Sequence, residues 1–211
     1  WRAELLTRQG ARRQLLEMAD YEPAAAALID VDNDAWLDLL VIGVRMDDRT
    51  QRRVFLWHNR RGIRWRDVTE ESGLSRISSS AAHEIVAADV DSDGDTDVML
   101  GGGNGIQFLR NIGGEANGQL KLRLRGTKTN PLGIGTHVEV RSGEFWSTRA
   151  VTTIPIEIGV AGRKQLDSVQ TIWTNGVVDN QIDVPVTGAP LTILEKTSPR
   201  VSARFCTPGM V

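Results

Sequence analysis

The 211-residue chain carries 25 Lys and Arg against 27 Asp and Glu, with 40% hydrophobic residues and 21 glycines. That is the make-up of a soluble globular protein, one large domain or two small ones. It holds no run of 18 apolar residues, which excludes a transmembrane helix, and its basic residues are scattered without aromatic interleaving, which argues against nucleic-acid binding.

In chain order, residues 2–19 predict a helix, because Leu5, Leu6, Leu15, Leu16 and Met18 interleave with Arg8, Arg12, Arg13 and Glu17. Pro23 ends it, so residues 1–22 form a helical lead-in. From Ala24 the period changes. The apolar run Ala26–Ile29 leads into an acidic loop, Asp30-Val31-Asp32-Asn33-Asp34-Ala35-Trp36-Leu37-Asp38, and Leu39–Ile42 follow. The unit recurs: Ile85–Ala88 lead into Asp89-Val90-Asp91-Ser92-Asp93-Gly94-Asp95-Thr96-Asp97, and Val98–Leu100 follow. Each unit predicts strand, loop, strand. Phe55–Asn59 after the first loop matches Gln107–Asn111 after the second, and a strand-rich period near 60 residues suits one blade of a β-propeller. Arg45–Arg52 is a polar insertion in the first copy.

Near residue 117 the pattern shifts. Leu120, Leu122 and Leu124 alternate with basic residues, Val138 and Val140 alternate next, and Val151–Ile154 and Val169, Thr171 and Trp173 follow. Asn130–Gly133 is a turn signal, and Asn175-Gly176 predicts a hairpin turn with positive φ at both central residues. Leu191–Leu194 is the last strand. The organisation expected is a helical lead-in (1–22), two blades (23–116), a small β domain (117–196) and an irregular tail (197–211). Val201–Val211 continues no pattern, as a frameshift near residue 200 would leave it.

Each loop sets carboxylates at positions 1, 3, 5 and 9. Four like charges that close repel one another unless a cation lies among them, and hard oxygen donors favour Ca²⁺. In the second loop Asp89, Asp91 and Asp93 offer side chains, Asp95 its carbonyl at position 7, and Asp97 closes the ring. In the first, Asp30, Asp32, Asp34, the carbonyl of Trp36 and Asp38 do the same. The second is the better candidate, since Gly94 permits positive φ where Ala35 costs on the order of 1 kcal/mol. No helices flank the loops and position 12 of the second is Leu100, so neither is an EF-hand.

These loops resemble FG-GAP/VCBS repeats, the calcium-loop propeller blades also seen in integrin α subunits. Trp65–Leu74 (WRDVTEESGL) is similar to the segment between such repeats, while Leu122–Gly135 and Asp167–Gly176 resemble the ASPIC/UnbV domain that often follows them. The resemblance implies an exported bacterial protein, all-β, with one structural Ca²⁺ per loop. It also implies adhesion or scaffold roles and no known reaction. Two blades cannot close a ring, so further blades are expected before Trp1.

Other motifs carry less. His83-Glu84 lacks the second His of a zinc-protease helix, for Ala87 stands there, and Gly101–Gly105 lacks the Lys and Ser/Thr of a phosphate loop. The three His are isolated in sequence, Cys206 has no disulfide partner, and the six Trp suit core packing better than a ligand platform. The expectation is a calcium-stabilised extracytoplasmic binding or scaffold module for a protein or glycan, without catalysis by this segment. The alternative is a non-catalytic fragment of an exported propeller enzyme whose active residues lie in missing blades.

Overall fold

A computed structural model describes residues 2–6, 12–77, 82–114, 117–152, 154 and 156–196. The tail from residue 197, where the frameshift expectation falls, lies outside them. The described residues are all-β apart from one short 3-10 turn, Leu74–Arg76. Two compact units divide the chain. Unit 1 takes Trp1–Leu122, Pro155–Gln165 and Pro185–Leu191; unit 2 takes Arg123–Ile154, Leu166–Val184 and Thr192–Val211.

The expected N-terminal helix is replaced by an antiparallel hairpin, β1 (Arg2–Leu6) and β2 (Arg12–Glu17), with Arg2 opposite Glu17. Two observations accord with it. Gly10 would sit inside the helix at a cost of roughly 1 kcal/mol relative to alanine. Leu16 and Met18 are buried on either side of exposed Glu17, which is a period of two.

The first repeat is a four-stranded antiparallel sheet in the order β3 (Tyr21–Ile29), β4 (Asp38–Arg45), β5 (Arg52–Arg60), β6 (Arg64–Asp67). Pro23 lies in edge strand β3 at a bulge, the place where a residue without an N–H is tolerated. The second repeat is a three-stranded sheet, β7 (Ala82–Ala88), β8 (Asp97–Gly102) and β9 (Gly105–Leu109).

Both faces of the first sheet are buried, which explains the near-continuous apolar run of β4. Leu40, Ile42, Val54 and Leu56 pack with Ile29 against Val98 and Leu100 of the second sheet. On the opposite face Val41, Phe55 and Trp57 pack against Leu16 and Met18 of the N-terminal segment, with Phe55 stacked on Trp57 at a centroid distance of 5.6 Å. The second sheet has one open face. Val86, Met99 and Phe108 form a cross-strand row there, and Val86 and Phe108 are 51% and 46% exposed.

Unit 1 is completed by the start of β10 (Gln119–Arg125) paired antiparallel with β13 (Ile156–Gly159). Leu120, Leu122, Ile156 and Ile158 are buried on one face, and Lys121 and Glu157 are cross-strand partners on the other.

Unit 2 contains the four-stranded antiparallel sheet β12 (Phe145–Ala150), β11 (His137–Ser142), β14 (Gln165–Ile172), β15 (Val178–Pro185). Its buried side chains include Val138, Val140, Leu166, Val169 and Trp173. In the turn between β14 and β15 only Gly176 has positive φ (82°), not Asn175 as well, because the loop is longer than two residues and closes with Trp173 N–H on the Val177 carbonyl. Beyond β16 (Leu191–Leu194), Glu195 accepts backbone N–H bonds from Thr127, Lys128 and Thr129. Burial pushes its carboxyl up, but these donors outweigh burial and hold it down at about 2.

Candidate metal centre

The two acidic loops fold alike, residue for residue. In the first, Val31 N–H donates to Asp38 Oδ2 (3.1 Å), Ala35 N–H to Asp30 Oδ2 (3.0 Å) and Asn59 N–H to Asp38 Oδ1 (2.7 Å). In the second, Val90 N–H donates to Asp97 Oδ2 (3.0 Å), Gly94 N–H to Asp89 Oδ2 (3.0 Å) and Asn111 N–H to Asp97 Oδ1 (2.9 Å). The closing aspartates Asp38 and Asp97 thus each hold the loop start and the next strand's end together. The same two positions turn left-handed in both: Asn33 (φ 57°) and Ala35 (φ 75°), Ser92 (φ 64°) and Gly94 (φ 106°). Ala35 therefore adopts the conformation that Gly94 takes without a Cβ penalty.

Ligand oxygens of Asp30, Asp32 and Asp38 lie within 4.8 Å of one another, as do those of Asp89, Asp91 and Asp97. Asp34 joins Asp32 and His58 in a third such group. Asp93 instead accepts Asp95 N–H, as Asp34 accepts Trp36 N–H. The Asp95 side chain turns away, fully buried, to accept from Gly114 N–H (2.8 Å). That orientation leaves Asp95 only its carbonyl to offer toward the loop centre.

One atom in each loop tests whether a cation fits. Asp30 Oδ1 and Asp89 Oδ1 are buried and accept no hydrogen bond. Asp30 is 9% exposed, and the Asp89 side chain is fully buried. A buried carboxylate oxygen without a donor is costly, and the same atom is orphaned at position 1 of both repeats. A hard cation is the partner that this donor set suits.

The electrostatics differ sharply between the copies. The second loop holds its own cations: Arg110 Nε lies 2.6 Å from Asp91 Oδ2, and Lys121 Nζ donates to Asp89 Oδ2. The Arg110 hydrogen bond holds Asp93 below its usual range. Glu157, across from Lys121 and accepting Asp89 N–H, is raised by burial. In the first loop His58 approaches, with Nε2 3.3 Å from Asp32 Oδ2 and 3.8 Å from Asp34 Oδ2. Burial, with the charges of Asp34, Asp38 and Asp32, pushes Asp30 up to about 7. Burial likewise raises Asp38 to about 6 and lifts Asp34. Two side-chain cations thus offset part of the carboxylate charge in the second loop, where the first has an imidazole.

His58, Arg110, Lys121 and Glu157 escaped the sequence reading. The match of Phe55–Asn59 with Gln107–Asn111 sets the first two at the same position, just before the asparagine, but gives neither a role. Lys121 and Glu157 come from strands outside the repeat and carry no local signal. Asn33 was missed too. It is 2% exposed and reaches into the second loop, its Nδ2 donating to the Gly94 carbonyl (2.9 Å) and Asp95 Oδ1 (3.1 Å). Asn111 Nδ2 returns the contact by donating to the Val31 carbonyl (2.6 Å).

No curated protein matches the chain. A family model described as FG-GAP-like repeat matches residues 30–100, from the first aspartate of the first loop to Leu100 in β8. The matched stretch carries both acidic loops, Asp30–Asp38 and Asp89–Asp97.

Proposed function

We propose that this chain is a calcium-stabilised extracytoplasmic binding or scaffold module, without catalysis of its own, that contacts a protein or glycan partner. In this reading the two repeat sheets are FG-GAP/VCBS-like propeller blades, and residues 117–196 form an ASPIC/UnbV-like β domain. The FG-GAP-like match supports the repeat assignment and the outside location that such repeats usually have. No helix among the described residues is long and apolar enough to cross a membrane.

The observation that carries the calcium reading is the orphaned, buried position-1 oxygen in both loops, Asp30 Oδ1 and Asp89 Oδ1. Asp30, Asp32, Asp34 and Asp38 would hold one ion with the Trp36 carbonyl. Asp89, Asp91, Asp93 and Asp97 would hold the other with the Asp95 carbonyl. The ion's chemistry would be charge neutralisation, tying each loop's two flanking strands. Binding to the folded state alone stabilises it by about 2.7 kcal/mol at a hundredfold excess over Kd. The test is thermal melting of the chain in millimolar Ca²⁺ and in chelator, with calorimetric titration alongside. A higher melting temperature in Ca²⁺ is expected; an unchanged one together with a flat titration overturns the reading.

A further inference from the structure

We propose that the β5–β6 hairpin, at the rim of the first acidic loop, is a docking surface for an acidic segment of a partner protein. Arg60 stands directly across from Arg64 in the strand register, with Arg61 in the turn between them, and all three are exposed. Like charges facing one another across a strand pair destabilise a hairpin. Arg61 adds to this. It holds φ 55° beside Gly62 at 67°, a turn in which asparagine or glycine is at ease and arginine is not.

Among the described residues nothing offsets that arrangement. Several other arginines of unit 1 meet a carboxylate: Arg45 with Asp47, Arg53 with Glu70, Arg66 with Glu71, Arg110 with Asp91. Arg60, Arg61 and Arg64 meet none among the described residues. They line an open recess of about 450 Å³ with Asp34, His58 and Ile63.

Three unpaired guanidinium forks point to carboxylates, which they bind two-pronged. The neighbours point to protein. Ile63 is 76% exposed at the hairpin tip, and Trp36, 43% exposed, lies against the turn at Gly62. Arginine and tryptophan dominate protein-binding hot spots. An anionic glycan would engage the arginines and leave Ile63 unused. Asp34 shares the recess, so an arriving anion meets its charge unless a cation in the loop cancels it. Docking is therefore stronger in Ca²⁺; that dependence rests on the calcium reading, whereas the arginine surface does not.

The test is a fluorescence titration of the full chain with a labelled peptide of Glu and Asp around one Leu, at low and high salt, with Ca²⁺ and with chelator. Binding that weakens with salt is expected, and Arg60→Ser with Arg64→Ser should weaken it roughly tenfold or more. Arg76→Ser, an exposed arginine elsewhere in unit 1, should leave it unchanged. Should the serine pair fail to fold, Arg60→Lys with Arg64→Lys keeps the charge and removes the forks, and a smaller loss is expected. Undiminished binding by a folded double variant overturns the proposal. So does an equal loss in Arg76→Ser, or heparin binding where the peptide does not bind. Binding that needs Arg60 and Arg64 but persists undiminished in chelator, with no calorimetric uptake of Ca²⁺, keeps the surface and defeats the calcium reading.

Discussion

Asn33 does more in this protein than its place between two aspartates suggests. Its amide donates to the Gly94 carbonyl, to Asp95 Oδ1 and to the Gly114 carbonyl, while its own carbonyl accepts Ala161 N–H at 2.9 Å. It also holds φ 57°, which asparagine tolerates better than most residues. Replacement by glycine keeps that conformation and removes the amide, isolating the hydrogen bonds. Asn33→Gly should cost about 1–3 kcal/mol, because Asp95 Oδ1 loses a donor in a buried site. Urea denaturation checks it; a midpoint unchanged from the wild type would mean that water replaces the amide freely. Gly159 makes a second tight contact with this loop, since a Cβ there would collide with the Asp30 carboxylate.

The two loops, alike in backbone, differ in the cations beside them, and this has a consequence for pH. Asp30 and Asp38 keep their protons in the folded first loop up to about pH 7 and 6, against 3.8 ordinarily. Between pH ~4 and ~7 the folded state therefore binds more protons than the unfolded chain, and stability falls as pH rises through that window. In chelator the melting temperature should be lower at pH 7.5 than at pH 5, by a difference on the order of a few kcal/mol in stability. Millimolar Ca²⁺ should reverse the trend, because protons and the metal compete for the same oxygens. A melting temperature that rises with pH in chelator would contradict this account. The loops themselves were legible in the sequence, since carboxylate spacing and flanking apolar runs are local signals. The N-terminal hairpin was not, because Leu15 and Leu16 fit a helical face as well as a strand. The charged groups around the second loop were not either: Lys121 and its cross-strand partner Glu157 belong to β10 and β13, outside the repeat. The ranking of the loops by Gly94 against Ala35 weighed backbone strain alone, while Arg110 and Lys121 set the charge.

In the molecule as a whole the repeat dictates a stacking order. The Leu40 and Ile42 face of the first sheet meets the Val98 and Leu100 face of the second. Val41 and Trp57, on the first sheet's other face, meet Leu16 and Met18. By the same rule the Val86, Met99 and Phe108 face of the second sheet is the one that awaits a neighbour. An open apolar row of this kind binds hydrophobic dyes and promotes association. Val86→Ser with Phe108→Ser should lower dye fluorescence and light scattering of the isolated chain, with little change in stability. Undiminished dye binding would mean that the apolar surface lies elsewhere.

Unit 1 is drawn from three separate stretches of chain, the last ending at Leu191. The first acidic loop leaves a ribosome well before the Ala161 N–H that its Asn33 carbonyl accepts and the Gly159 that packs on Asp30. Contacts so distant along the chain form slowly. During synthesis the nascent first repeat must wait with its carboxylates uncovered until β13 arrives, so the order of translation, as well as the final contacts, governs when that loop is finished.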